Sequence, residues 1–245
     1  GGIAWPGVVQ QGVCRRAHQH RIALADVGRQ QFERTLGRSL RLPQQHGQHQ
    51  RHAQQPQAAL WSSIESEHEL QAARAVKRCV AGQRWRWDGV DFEVLQPQAD
   101  DYGPVHKTNA MSCVLRISNG QRTALLAGDI EQAQEVRLVG ALAAPTAGGK
   151  SGLHADVLLV PHHGSKTSSS ADFLDAVAPG LALVQSGYRN RFGHPAQLVR
   201  ERYQQRNIMV LDSPHCGAMT WRSAAPYGVS CLRQTEPHYW QHQVP

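Results

Sequence analysis

Between residues 122 and 212, short apolar runs alternate with stretches of helical period, and this alternation constrains the fold more than any other feature of the sequence. The runs are RTALLAG (122–128), DVLLVP within 155–161, LALVQS (181–186) and NIMVLD (207–212). Helical patterns are expected at 131–142, 169–177 and 196–205, after the first, second and third of these runs. Strand–helix–strand order makes successive strands parallel. Upstream the signals change to hairpins. RWRWDGVDFEVLQP (84–97) reads as two strands about Asp88-Gly89, and SCVLRIS (112–118) meets RTALLAG across Asn119-Gly120. A helix is expected over 66–78, a Gly-rich loop at 147–152, and two closing strands near 217–222 and 228–233. Hairpins followed by strand–helix alternation define an α/β sandwich with a mixed sheet.

The chain changes character near residue 60, and two domains are expected, 1–60 and 61–245. LPQQHGQHQRHAQQPQ (42–57) is rich in Gln, His and Arg and sustains no apolar period. Such a segment buries too little surface to offset its ordering entropy, so a disordered arm is expected. A helix presenting His46, His49 and His52 to a metal is a second explanation, outweighed by solvated low complexity, and translation of a GC-rich gene in another frame is a third. Residues 1–60 as a whole hold most of the net charge of +7. Residues 1–60 carry eight arginines against Asp26 and Glu33, or +6, which leaves 18 basic and 17 acidic groups, or +1, for the rest. The basic excess is therefore separate from the apolar–polar pattern downstream and selects no partner by itself.

No apolar run approaches the roughly 20 residues of a membrane helix. The chain opens on Gly1, as a fragment or processed piece would, and as a piece it is expected to be soluble. Five cysteines, without a CxxC pair, argue against a zinc finger or a disulfide framework. Cys113 and Cys231 fall in alternating apolar runs and read as core residues.

The polar residues of interest stand where strands end. TALLAGD ends in Asp129, DVLLVPHHGS in His162-His163-Gly164-Ser165, and LALVQSGYRNRFGHP in a loop carrying His194. In α/β sheets, groups at the carboxyl ends of parallel strands open onto one crevice. One carboxylate and up to three imidazoles are ligand types of a zinc or manganese site. Singly, each residue has a plainer explanation. Asp129 precedes a helix and could act as its N-cap, and His194 could be an ordinary loop residue. Jointly they favour a metal site.

LLAGD, VPHHGSKTSSS and SGYRNRFGHP, in that order, resemble the metallo-β-lactamase-type domain of the ComEC family of competence proteins, which take up DNA. KTNAMSCVLRI (107–117) resembles the same family's lead-in to a strand, and the likeness covers about residues 75–235. The resemblance implies an αββα sandwich, incomplete on its N-terminal side, with a divalent metal, Zn or Mn, at one edge. Asp129, His163 and His194 match metal-ligand positions, with either His162 or His163 as the direct ligand of the pair. His162 and His163 are the catalytic candidates, and Ser165, Lys166 and Asn109 the substrate-binding ones. The implied reaction is metal-dependent hydrolysis of single-stranded DNA. The implied parent is an inner-membrane protein carrying a channel, with which this piece would associate.

One motif departs from the family pattern. The His-x-His-x-Asp-His loop that binds the first metal does not occur in the sequence, and His18-Gln19-His20 matches only its beginning. The remaining ligands would hold one ion weakly, because affinity depends on a complete first shell. Three functions are compatible with this pattern: a metal-dependent nuclease, an inactive module that binds DNA or the channel, and a phosphoesterase of other substrates.

Overall fold

The computed structural model describes residues 24–26, 59–63, 76–103, 107–145 and 149–237. Its centre is a seven-stranded sheet whose strands lie side by side in the reverse of their chain order, from Met209–Asp212 at one edge to Arg84–Trp87 at the other. The antiparallel part is a meander of β4 (Arg84–Trp87), β5 (Val90–Gln96), β6 (Val114–Ser118) and β7 (Thr123–Leu126). From β7 onward the pairs are parallel, through β8 (Val157–Leu159), β9 (Leu181–Val184) and β10 (Met209–Asp212). The crossovers carry α1 (Gln132–Leu142), α2 (Ala171–Val177) and α3 (Gln197–Gln204). The mixed α/β sheet expected from the sequence is the one the chain forms.

Both hairpin signals are realised. Asp88 and Gly89 both take positive φ, 49° and 79°, so a two-residue turn matches the twist of β4 and β5. At Asn119 the side-chain oxygen accepts from the amides of Gln121 and Arg122, closing the β6–β7 turn.

Period-two alternation splits the parallel strands between two cores. Leu125, Leu158, Ala182 and Val184 face the helices and pack with Leu138, Phe173, Leu174, Val177, Val199 and Tyr203. On the opposite face Leu126 and Leu159 join Val94, Leu115 and Ile117, with Trp61 and Trp85 packed against them. Ala124, Val157 and Leu181 pack there with Trp221. Burial on both faces explains why the runs read as nearly continuous apolar stretches.

This second face is covered by β structure. One piece is a small sheet of β1 (Leu24–Asp26), β2 (Ala59–Ser62) and β3 (Val76–Arg78). The other is the hairpin of β11 (Met219–Arg222) and β12 (Ala225–Cys231). Helices, large sheet and smaller β layer are thus stacked in turn, the α–β–β part of the expected αββα order.

Four expectations need correction. Residues 76–78 are not helical but pair parallel with β2, a tertiary contact that overrides the local helical pattern; 64–75 lie outside the described residues. Leu24–Asp26 is a strand within the segment expected to lack structure, because pairing with Ala59–Trp61 needs only backbone groups; the Gln/His/Arg-rich stretch 42–57 lies outside the described residues. Cys113 and Cys231 are core residues, but each is also disulfide-bonded, to Cys79 and Cys216. The partners lie 34 and 15 residues apart, and only folding brings them together. Finally, the N-cap of α1 is Glu131, not Asp129.

Candidate functional site

The parallel strands β7, β8 and β9 release their chains at one rim, and backbone contacts draw the three emerging loops together. After β7 the chain turns at Gly128 (φ 63°) into Asp129. After β8, His162, His163 and Gly164 take positive φ in succession, 48°, 57° and 80°. Two neighbouring non-glycine residues in the left-handed region are costly, and such strain persists only where the surroundings impose it. The surroundings are visible: the His162 amide donates to the Gly128 carbonyl at 2.9 Å, and the His162 carbonyl accepts from the Ser165 amide at 2.9 Å.

His194 reaches the same turn through a close approach. A Cβ on Gly164 would lie 2.6 Å from Pro195 Cβ, so only glycine lets the His194-Pro195 segment settle there. The Ala196 amide donates to the Gly164 carbonyl at 2.8 Å and completes the clamp.

Side chains converge accordingly. His163 Nε2 lies 3.4 Å from Asp129 Oδ1, with the aspartate side chain 2% exposed. On its other side, His163 Nδ1 lies 2.5 Å from the Gln185 carbonyl oxygen. A carbonyl only accepts, so Nδ1 carries the proton. In the neutral ring the Nε2 lone pair then faces the carboxylate oxygen. Two acceptors facing each other at this distance make a place for a cation, and an imidazole held through its far nitrogen is the usual arrangement of a metal-binding histidine.

His162 belongs to a second group. Its Nδ1 is 3.4 Å from Glu131 Oε1, and its Nε2 is 3.4 Å from Asn109 Nδ2. Asn109 Nδ2 also lies 3.4 Å from Glu131 Oε1, and Thr167 Oγ1 approaches both Glu131 and His162. An amide nitrogen only donates, which places the His162 lone pair on Nε2 and its proton on Nδ1 toward Glu131. The rings of His162 and His194 are 6.1 Å apart, and those of His162 and His163 are 6.5 Å apart. Burial lowers the His194 pKa below its ordinary 6.5, so the ring is neutral at neutral pH. Its Nδ1 is buried, with no hydrogen-bond partner among the described residues.

The structure thus brings Asp129, His162, His163, His194 and Asn109 to one rim. Ser165 is buried and its hydroxyl lies 3.1 Å from that of Thr167, inside the turn. Lys166 is exposed on the same turn. Glu131 is a further member that sequence reasoning overlooked. Its signal was a second carboxylate two residues after Asp129, read only as the start of a helix. Among the described residues, no group of three or more His, Cys, Asp or Glu side chains is arranged to hold a metal ion. The residues fit an ion as a converging pair, Asp129 with His163, and the buried Nδ1 of His194, with no hydrogen-bond partner among the described residues, is a further candidate nitrogen at the rim.

A 169-residue stretch is 40% identical to "Competence protein ComA" of Neisseria gonorrhoeae, covering 67% of this chain and 22% of that protein. Over 165 residues the chain is 33% identical to "ComE operon protein 3" of Bacillus subtilis, covering 66% of this chain and 20% of that protein. The chain belongs to the ComEC family of competence proteins. It spans about a fifth of the length of these curated relatives. No protein-family profile matches this ComEC-family chain. Among solved structures it is similar to the metallo-β-lactamase fold protein YhfI of Bacillus subtilis, at 13% identity and a TM-score of 0.37, over 64% of this chain and 58% of that one. Among the described residues of the ComEC-family chain, no helix is long and apolar enough to cross a membrane.

Proposed function

We propose that this chain is the metal-dependent, single-strand-directed nuclease module of a competence protein for DNA uptake, acting beside the membrane channel of a larger parent in the inner membrane. The observation that supports this most is the apposition of His163 Nε2 and Asp129 Oδ1 at 3.4 Å, with Nδ1 anchored on the Gln185 carbonyl. Asp129 and His163 would hold a divalent ion, Zn or Mn, with His194 as the third candidate. When bound, such an ion supplies Lewis acidity at a phosphoryl oxygen and lowers the pKa of water beside it.

The protein groups have separable roles. Asp129 brings negative charge into a buried position where a cation is the natural complement. His162, oriented between Glu131 and Asn109, has its lone pair on Nε2, where the imidazole can take up a proton and then hand it to a leaving oxygen. Exposed Lys166 would meet a phosphate as a point charge. Ser165 is engaged within its turn and is assigned to holding that turn.

Calorimetric titration of the full 245-residue chain with Mn²⁺ or Zn²⁺, followed by incubation with 5′-labelled single-stranded DNA, tests the proposal. About one equivalent of metal should bind, cleavage should require it, and Asp129→Asn should lose both. Absence of binding heat, or cleavage that survives Asp129→Asn, overturns it.

A second reading is favoured by two observations. The sequence has no His-x-His-x-Asp-His loop, and the described residues form no three-ligand group. A module that binds DNA or the channel without cutting would suit that shortfall. Metal binding without DNA turnover is the result that selects it.

A further inference from the structure

The chain between the two halves of the site, SGYRNRFGHP (186–195), is more than a connection. It leaves β9 at Gln185, whose carbonyl orients His163, and returns at His194. It displays two aromatic rings to solvent, with Phe192 55% and Tyr188 37% exposed. Each ring carries its neighbouring arginine: Arg189 Cζ lies 5.2 Å from the Tyr188 centroid, and Arg191 Cζ lies 4.8 Å from that of Phe192. Phe192 also stacks on His194, at 5.7 Å and 16° between planes. No acidic residue occurs from 186 to 200, while Arg189, Arg191 and Arg200 do.

The loop is internally braced. Asn190 Nδ2 donates to the carbonyls of Gly187 at 3.1 Å and His194 at 2.7 Å, while its Oδ1 accepts from the His194 amide at 2.9 Å. One side chain therefore ties both ends of the loop. Part of each ring meets solvent, and a preorganised loop loses little entropy when such surface is covered by a ligand.

We propose that Tyr188, Arg189, Arg191 and Phe192 form a recognition platform for a single-stranded polynucleotide, whose unpaired bases stack on the rings while its phosphates meet the guanidinium groups. Rings joined to arginines are the combination that binds single strands without sequence preference, because every base has a π face and every linkage a charge. A guanidinium engages a ring through its face and a phosphate through its in-plane N–H donors, so one arginine serves both. A duplex offers the phosphates but hides the bases. The platform leads to the rim through the Phe192–His194 stack. The place to which the strand is led rests on the function proposed above, whereas the binding itself does not.

The test is fluorescence anisotropy of a labelled 20-nucleotide single strand with the full chain, in EDTA so that neither metal nor cleavage contributes. Phe192→Leu and Tyr188→Leu should each weaken binding by about fivefold or more, with little effect on a duplex of equal length. Arg191→Ala and Arg189→Ala should each lower the salt dependence of log K by about one. Arg191→Lys keeps the charge and should restore the salt slope without restoring full affinity. Absence of single-strand binding by the unmodified chain overturns the proposal. So do equal losses for single strand and duplex, or unchanged affinity in variants whose circular dichroism matches the unmodified chain. If metal-dependent cleavage fails while these differences persist, the platform stands and only the nuclease reading falls.

Discussion

Gly164 and Pro195 are packed so closely that a methyl group on the glycine would lie 2.6 Å from Pro195 Cβ and 3.0 Å from its Cα. This contact joins the turn after β8 to the segment bearing His194, and Gly164 also holds a φ of 80°. Gly164→Ala should therefore act twice. The left-handed backbone costs about 1–2 kcal/mol with a side chain, and the overlap costs about another 1–3 kcal/mol. Urea unfolding should show a loss near the sum of the two. In the fraction that stays folded, His194 should be displaced from the rim, which its ring proton signals would report. A variant as stable as the unmodified chain would mean that the two segments separate without cost.

Metal should stabilise this fold in a way that depends on Asp129. A ligand that binds only the native state at 100 times its Kd adds about 2.7 kcal/mol, or roughly 5–10 °C in Tm for a domain of this size. Thermal unfolding with Zn²⁺ should rise accordingly, and a chelator should reverse the shift. His163→Gln keeps a polar side chain but loses the anchored imidazole, and it should remove most of the shift, as should Asp129→Asn. An equal shift in all three proteins would place the ion elsewhere, for example among the other histidines of the chain.

Much of the architecture was legible because the signals were local. Asp88-Gly89 encodes a turn through backbone conformation, and the apolar runs of β7, β8 and β9 encode burial on two faces. Since parallel strands release their chains on one side, the meeting of Asp129, His163 and His194 at a rim is a consequence of strand order. The features that escaped were set by distance in the chain. Val76–Arg78 is a strand only because β2 lies beside it. Glu131 reads as a helix start until His162 is placed 3.4 Å away. The cysteine partners are joined by the fold, with no spacing motif to announce them.

The Cys79–Cys113 bridge ties the segment after β3 to the residue preceding β6, with Cα atoms 5.9 Å apart and both residues buried. Closing a loop of this length stabilises by about 3–4 kcal/mol in the chain-entropy account. Cys79→Ser with Cys113→Ser should lower the free energy of unfolding by about that amount. Adjacent Ser112 accepts the Asp129 amide through its hydroxyl at 3.0 Å, so the double variant should also bind metal less tightly. Thiol titration of the denatured, unreduced chain checks the premise: four of its five cysteines should be blocked.

Glu135 supplies a pH dependence of known sign. Its carboxylate is buried in α1 and accepts the amides of Ser169 at 2.5 Å and Ser170 at 2.8 Å, fixing the turn just after the histidine pair. Burial raises its pKa above the ordinary 4.5, opposed by the Ser170 and Ser169 hydrogen bonds and by the nearby charge of Arg202. The native state therefore binds more protons than the unfolded chain between 4.5 and the raised value. Stability from this group is full below 4.5 and declines as pH rises through that window. Glu135→Gln should remove this component of the slope. It should also destabilise by about 1–3 kcal/mol, since a glutamine oxygen can replace only one of the two acceptor oxygens and leaves one buried amide unsatisfied. Denaturant unfolding of both proteins from pH 4 to 7 measures the two effects together. A glutamine variant that retains the full slope would assign the pH dependence to another group.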